Sequence, residues 1–280
     1  MNPVFNPQRK FGVELEVCID ENCRPEDICE YIMYHVPGVT IDTERVDEYY
    51  QSVNPIAECW EAKSDSSISP DGFELVSPPL TGEDGLRELQ DVVDTLSARC
   101  YTNSSCGLHV HHNIMDFSDE QFVNLYKVYY SLSPVIAFML PPSRRYNSYC
   151  GPLESSLKRL KNDAKIQKDF ILGEPRQALN LAPCAGRNTA EFRQHQGTVN
   201  STDIIAWIFL TQRIVEYAKI TRKPKDSREK SLSKFFFRLG WTKNALEDAR
   251  VRWVRAYWEE RFAYFAGNEK EIPISIGKEN

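Results

Sequence analysis

From Phe11 to Val17 the chain alternates apolar and polar residues: Phe11-Gly12-Val13-Glu14-Leu15-Glu16-Val17. Side chains on a strand point to opposite faces with period two, so Phe11, Val13, Leu15 and Val17 share one face and Glu14 and Glu16 the other. The same alternation marks further strands. Glu58 to Lys63 sets Cys59 and Glu61 against Trp60 and Ala62. In Phe73-Glu74-Leu75-Val76, Glu74 opposes Phe73 and Leu75, and Pro78-Pro79 stop the strand. Gly107 to His112 sets His109 and His111 against Leu108 and Val110. Two more strands, Ala178 to Leu181 and Thr189 to Arg193, flank a turn at Gly186-Arg187-Asn188, and Glu191 and Arg193 oppose Phe192.

Helical spacing of apolar residues appears between these strands. It predicts helices over Arg24 to His35, with Pro25 in the first turn, and over Glu83 to Cys100, where Leu86, Leu89, Val92, Val93 and Leu96 form one stripe. A long helix follows Asp116, with Ser118 as N-cap, and runs towards Leu140 past Pro134. Leu153 to Phe170, Asp203 to Ile220 and Asn244 to Ala266 read as further helices. Lys219 to Lys234 reads as a basic, breaker-rich linker, and Gly38 to Gln51 fits a strand followed by a polar loop. The expected fold is α+β: a mainly antiparallel sheet with helices packed on one face, in a single domain over 1–280 whose part from 201 onward is helical.

Composition narrows the picture in three ways. A net charge of −6, from 34 basic and 40 acidic residues, argues against sequence-independent nucleic-acid binding, which needs a basic footprint. The first ten residues are polar and no apolar run is long enough to span a bilayer, so neither a signal peptide nor membrane attachment is expected and a cytoplasmic location is. The eight cysteines include no CxxC pair, which favours free thiols over a disulfide framework or a zinc module. Nor does a glycine-rich turn join a strand to a helix, as a P-loop or dinucleotide site would require.

The polar positions of four strands are Glu, His and Arg, where a merely solvated face would also carry Lys, Thr, Ser and Gln. Brought together, Glu14, Glu16, Glu74, Glu191, His109, His111 and Arg193 would carry a charge of about −3 with neutral imidazoles. A partly buried cleft does not hold that charge without cations. Carboxylate oxygens with some imidazole nitrogen suit Mg²⁺ or Mn²⁺, ions that bridge phosphates. Glu61 and Glu74 are both candidates for the third carboxylate. His112 points to the apolar side and reads as structural, and His195 lies just past its strand.

These motifs, in this order, resemble the glutamine synthetase and glutamate–cysteine ligase superfamily, and within it the amidoligase branch. The resemblance rests on Phe11 to Glu16, Asp65-Ser66-Ser67, Phe73 to Leu80, Cys106 to His111, Pro142 to Arg145 with Tyr149-Cys150, Ala178 to Leu181, and Thr189 to Thr198. It implies a glutamine synthetase-like catalytic domain that forms an amide from a carboxylate and an amine, using ATP and two or more Mg²⁺ or Mn²⁺ ions. The carboxylate would pass through an acyl phosphate. Glu14, Glu16, Glu74, His109 and Glu191 would hold metal, His111 would ligate metal or contact substrate, and Arg193 would meet the transferred phosphate. Arg144, Arg145, Asp65 and Asn180 would contact nucleotide or substrate. Amino acids, peptides, proteins and cell-surface components are all candidate substrates. Two other readings stay open: a zinc hydrolase using Cys106, His109, His111 and a Glu, and a non-catalytic binding protein on a ligase scaffold.

Overall fold

A computed structural model describes residues 5–44, 58–145, 147–153, 176–224 and 227–267. The chain forms two compact units, one built from residues 6–116 and 172–208, the other from 1–5, 117–171 and 209–280.

The first unit holds a seven-stranded sheet. In chain order its strands are β1 (Phe11–Cys18), β2 (Ile41–Asp42), β3 (Trp60–Lys63), β4 (Gly72–Val76), β5 (Gly107–Asn113), β6 (Leu179–Asn180) and β7 (Thr189–Gln196). The spatial order is β2-β3-β4-β1-β5-β7-β6, so β1 and β5 lie near the middle and β2 and β6 at the edges. Every pairing is antiparallel except β2 with β3. The apolar positions of β1 (Phe11, Val13, Leu15 and Val17) are buried, as their alternation requires. Gly72 lets β4 lie close to β1: a Cβ there would sit 2.1 Å from the Val17 carbonyl oxygen.

Helices α1 (Pro25–His35) and α2 (Gly82–Leu96) belong to this unit. The α2 stripe of Leu86, Leu89, Val92, Val93 and Leu96 is buried. The Trp60 indole, on the apolar side of β3, donates to Glu88 of α2 at 2.8 Å. The expected turn before β7 contains a four-residue helix, α4 (Cys184–Arg187), and Asn188 in the left-handed region at φ 55°. Asn takes that conformation at lower cost than most residues.

The second unit is helical. Helix α3 (Asp119–Met139) starts at a capping box, with the Ser118 hydroxyl accepting from the Gln121 amide and the Gln121 side chain accepting from the Ser118 amide. Helix α5 (Ser201–Ile220) begins in the first unit and ends in this one. Helices α6 (Leu232–Arg238) and α7 (Ala249–Ala266) follow, and Phe262 of α7 packs on Phe138 of α3 with ring centroids 6.4 Å apart. The segment expected as a linker is partly ordered against α3. Ser131 accepts the Glu229 amide at its carbonyl (2.7 Å) and donates its hydroxyl to the Ser227 carbonyl (2.6 Å). The closing helix starts at Ala249, later than the apolar spacing predicts, because Lys243–Glu247 forms a separate 3₁₀ turn and Asp248 caps the helix proper. The helix expected over Leu153 to Phe170 lies outside the described residues beyond Leu153, as does the Gly38 to Gln51 segment beyond Glu44. Among the described residues no helix is long and apolar enough to cross a membrane.

Candidate functional site

Residues directly opposite in an antiparallel pair point to the same face. Register therefore decides which side chains meet. Glu16 pairs with Glu74, Glu14 with His109, Gly12 with His111, His111 with Glu191, and Glu191 with Asn180. One polar face thus gathers residues from β4, β1, β5, β7 and β6 that are far apart in sequence. Strand alternation predicted Glu14, Glu16, Glu74, His109, His111 and Glu191 for one face, and the sheet assembles them with Asn180, which only the resemblance had suggested.

Glu14 is the hub. Its two oxygens accept from His109 Nδ1 and His111 Nε2, each at 3.0 Å. Burial alone would raise the Glu14 pKa, but the charge of His111 and the hydrogen bonds from both imidazoles outweigh it and hold the carboxyl well below its ordinary range. His111 shows the converse. Burial disfavours its charged form, yet the Glu14 carboxylate, with Glu191 behind it, raises its pKa overall. On its other side His111 Nδ1 shares a hydrogen bond with the Thr189 hydroxyl at 3.2 Å. Glu16 accepts the Gly107 amide at 2.5 Å and lies 3.5 Å from His109 Nε2.

Glu74 is different. No hydrogen bond reaches its carboxylate from the described residues. Burial, then the charges of Glu14 and Glu16, push its pKa well above the ordinary value. Lys63 lies opposite in register, but its ammonium pairs with Glu61 at 2.8 Å.

Glu191 is held on two sides. Asn180 donates to one oxygen at 2.5 Å and Arg193 donates to the other. Burial alone would lower the Arg193 pKa, but Glu191, with Glu14 and Glu16, raises it. A β-bulge sets this arrangement. Leu108 pairs with His195 and Val110 with Phe192, so Arg193 and Gln194 together face His109. The extra residue turns His195 to the apolar side, where its ring meets Trp207 at 5.3 Å. His112 is also on that side, fully buried and edge-on to Phe192, and burial followed by the Arg9 charge drives its pKa well down.

Three overlapping groups have ligand atoms within 4.8 Å of one another: Glu14, His111 and Glu191; Glu14, Glu74 and His109; and Glu16, Asp65 and Glu74. The last is all oxygen, and carboxylates outnumber imidazoles throughout, a donor set suited to hard cations such as Mg²⁺ or Mn²⁺. Glu74 belongs to two groups, while Glu61 belongs to none among the described residues. Asp65 also caps its own turn by accepting the Ser67 amide at 2.8 Å. Cys106 joins no group. Its sulfur lies 3.5 Å from Cys18 Sγ in a small apolar cluster with Ile68.

Arg144 and Arg145 belong to the helical unit. Arg144 is buried there, and Arg145 donates to the Ala137 and Phe265 carbonyls while its guanidinium covers the Phe138 ring. One residue near the acidic face escaped the sequence reading. Arg187, at the end of α4, places its guanidinium 4.0 Å from Glu14. It sits in a turn, where period-two alternation has nothing to say.

An open, mainly antiparallel sheet with acids, imidazoles and one guanidinium on a single face defines an α+β protein suited to divalent cations and anionic groups. Residues 7–215 match the family model described as "Putative amidoligase enzyme", and the chain belongs to that family. No curated protein shows significant similarity to it.

Proposed function

We propose that the protein is an ATP-dependent carboxylate–amine ligase. A carboxylate oxygen of the substrate attacks the γ-phosphorus of ATP and ADP leaves. The amine then attacks the carbonyl carbon of the acyl phosphate, phosphate leaves, and the nitrogen loses a proton as the amide forms. The observation that carries this reading is the acidic row with Arg193 held against Glu191 in its middle. Family membership supports ligase chemistry of this class.

Glu14, Glu16, Asp65, Glu74, Glu191, His109 and His111 would supply the ligand atoms for Mg²⁺ or Mn²⁺. Such ions neutralise phosphate oxygens and orient the groups that react. Arg193 offers a planar fork for the phosphoryl oxygens, fixed in advance by its bond to Glu191, so it acts where charge shifts during transfer. Asn180 holds Glu191 from the other side and keeps its carboxylate aimed.

A panel of amino acids, peptides and other carboxylates, incubated with ATP, Mg²⁺ and hydroxylamine, tests the reading. A carboxylate-dependent hydroxamate with matching ADP release is expected. Absence of both across the panel, from folded and metal-loaded protein, would refute it.

A further inference from the structure

The acidic face has two unlike ends. By register its groups fall into three tiers along the strands. The first holds Gly12, His111, Glu191 and Asn180, the second Glu61, Val76, Glu14 and His109, with Arg193 at the bulge facing His109, and the third Lys63, Glu74 and Glu16. From Gly12 to Glu16 is about 14 Å at the rise of an antiparallel strand. The third tier, with Asp65, offers only oxygen ligands. Beside the first tier opens a cleft of about 280 Å³ of another character. Glu14 and His111 form its reactive end, Val76, Pro79 and Met115 supply apolar wall, and Lys10 and the Glu61–Lys63 ion pair also line it. Val76 is an apolar residue on the acidic face, opposite Glu14 in register, and Met115 is 71% exposed.

Arg187 also lines this cleft. Helix α4 and the left-handed Asn188 deliver it there, just before β7 begins. Its guanidinium lies 4.0 Å from Glu14, beyond hydrogen-bonding distance, and is 32% exposed. Among the described residues it makes no hydrogen bond, so its donors are available to a ligand.

We propose that this cleft is the acyl-substrate subsite, and that it takes a carboxylate bearing an apolar side group, with Arg187 gripping the carboxylate beside Glu14 and His111. The inference rests on the ligase reading. Arg193 in the second tier meets the phosphoryl group, so the nucleotide approaches from the carboxylate set of Glu16, Asp65 and Glu74 and the acid from the cleft. An arginine fork matches a carboxylate in two parallel bonds. An aliphatic or aromatic side group gains about 25 cal/mol for each Å² buried on Val76, Pro79 and Met115. A charged side group laid against that apolar wall would lose hydration.

The test measures binding as well as turnover. N-acetyl-leucine, N-acetyl-phenylalanine, N-acetyl-aspartate and a non-hydrolysable ATP analogue are titrated calorimetrically into Mg²⁺-loaded protein, wild type and two variants, and ADP release is measured in parallel with each acid, ATP and hydroxylamine. Arg187→Gln and Met115→Asp both change exposed side chains, and circular dichroism checks their folding. The apolar acids should bind at least about tenfold tighter than N-acetyl-aspartate. Arg187→Gln should weaken them about tenfold or more, the loss of one charge-assisted bond, and leave the nucleotide analogue unchanged. Met115→Asp should narrow the apolar preference. Failure of all three acids to bind, equal binding of polar and apolar acids, or an Arg187→Gln effect on the nucleotide in place of the acid would overturn the subsite. Acids that bind as expected but release no ADP would refute the ligase reading and leave the subsite standing. ADP release that favours the polar acid would sustain the ligase and overturn the subsite.

Discussion

Glu74→Gln removes one charge from the acidic face at nearly constant volume. Glu74 lies within 4.8 Å of ligand oxygens on Glu14 and Glu16, and no described residue donates a hydrogen bond to it. Two like charges at 4.8 Å repel by about 3 kcal/mol at an effective dielectric of about 20. The folded protein avoids part of this cost by holding a proton on Glu74, whose pKa burial and the two neighbours raise well above the usual 4.5. A carboxyl whose pKa is higher folded than unfolded binds a proton on folding. The contribution of Glu74 to stability is therefore most favourable below about pH 4.5 and falls as pH rises towards its folded value. Without divalent ions, Glu74→Gln should raise stability at pH 8 by roughly 1–3 kcal/mol, the screened part of that repulsion. This corresponds to about 2–4 °C of melting temperature for each kcal/mol. At pH 5 the gain should shrink, because a raised pKa costs least near and below the ordinary value of 4.5. The response to metal should run the other way. Mn²⁺ at one hundred times its Kd adds about 2.7 kcal/mol to wild type, and the variant should lose most of that shift. Differential scanning fluorimetry at both pH values, with and without Mn²⁺, reads all four quantities. A variant that is less stable than wild type at pH 8 without metal, or equally stabilised at pH 5 and pH 8, would refute the reasoning.

Other outcomes follow from the same geometry. Arg193→Lys keeps the charge but loses the fork, so kcat should fall about 10²-fold while the KM for ATP changes little, and steady-state kinetics on a working substrate would expose the error if turnover stayed near normal. Cys106→Ser should leave metal binding by calorimetry unchanged, since its sulfur faces Cys18 and not the acidic row; lost binding would revive a thiolate-liganded zinc site. Gly72→Ala forces a Cβ to within 2.1 Å of the Val17 carbonyl, so urea unfolding should show a loss of about 3 kcal/mol, and an unmoved midpoint would mean that β1 and β4 are less closely packed than described.

The strands and their faces were legible in the sequence because a strand exposes its side chains with an invariant period of two. Glu14, Glu16, Glu74, His109, His111 and Glu191 could be assigned to one class of position before any pairing was known. The Ser118 cap and the α2 stripe were legible for the same local reason. Pairing lies outside the reach of alternation, because which strands become neighbours depends on the whole core. Tertiary structure alone made Glu16 face Glu74, and tied Glu61 to Lys63 so that no described residue donates a hydrogen bond to Glu74. It also added a residue at Arg193 and Gln194, which turned His195 to the apolar side against simple alternation. Arg187 reaches Glu14 only because a short helix and one left-handed residue aim it there. The sequence by itself determined which residues could carry charge on the face. The register, the bulge and one turn decided which of those charges meet, because non-local contacts choose among pairings that local patterning leaves equivalent.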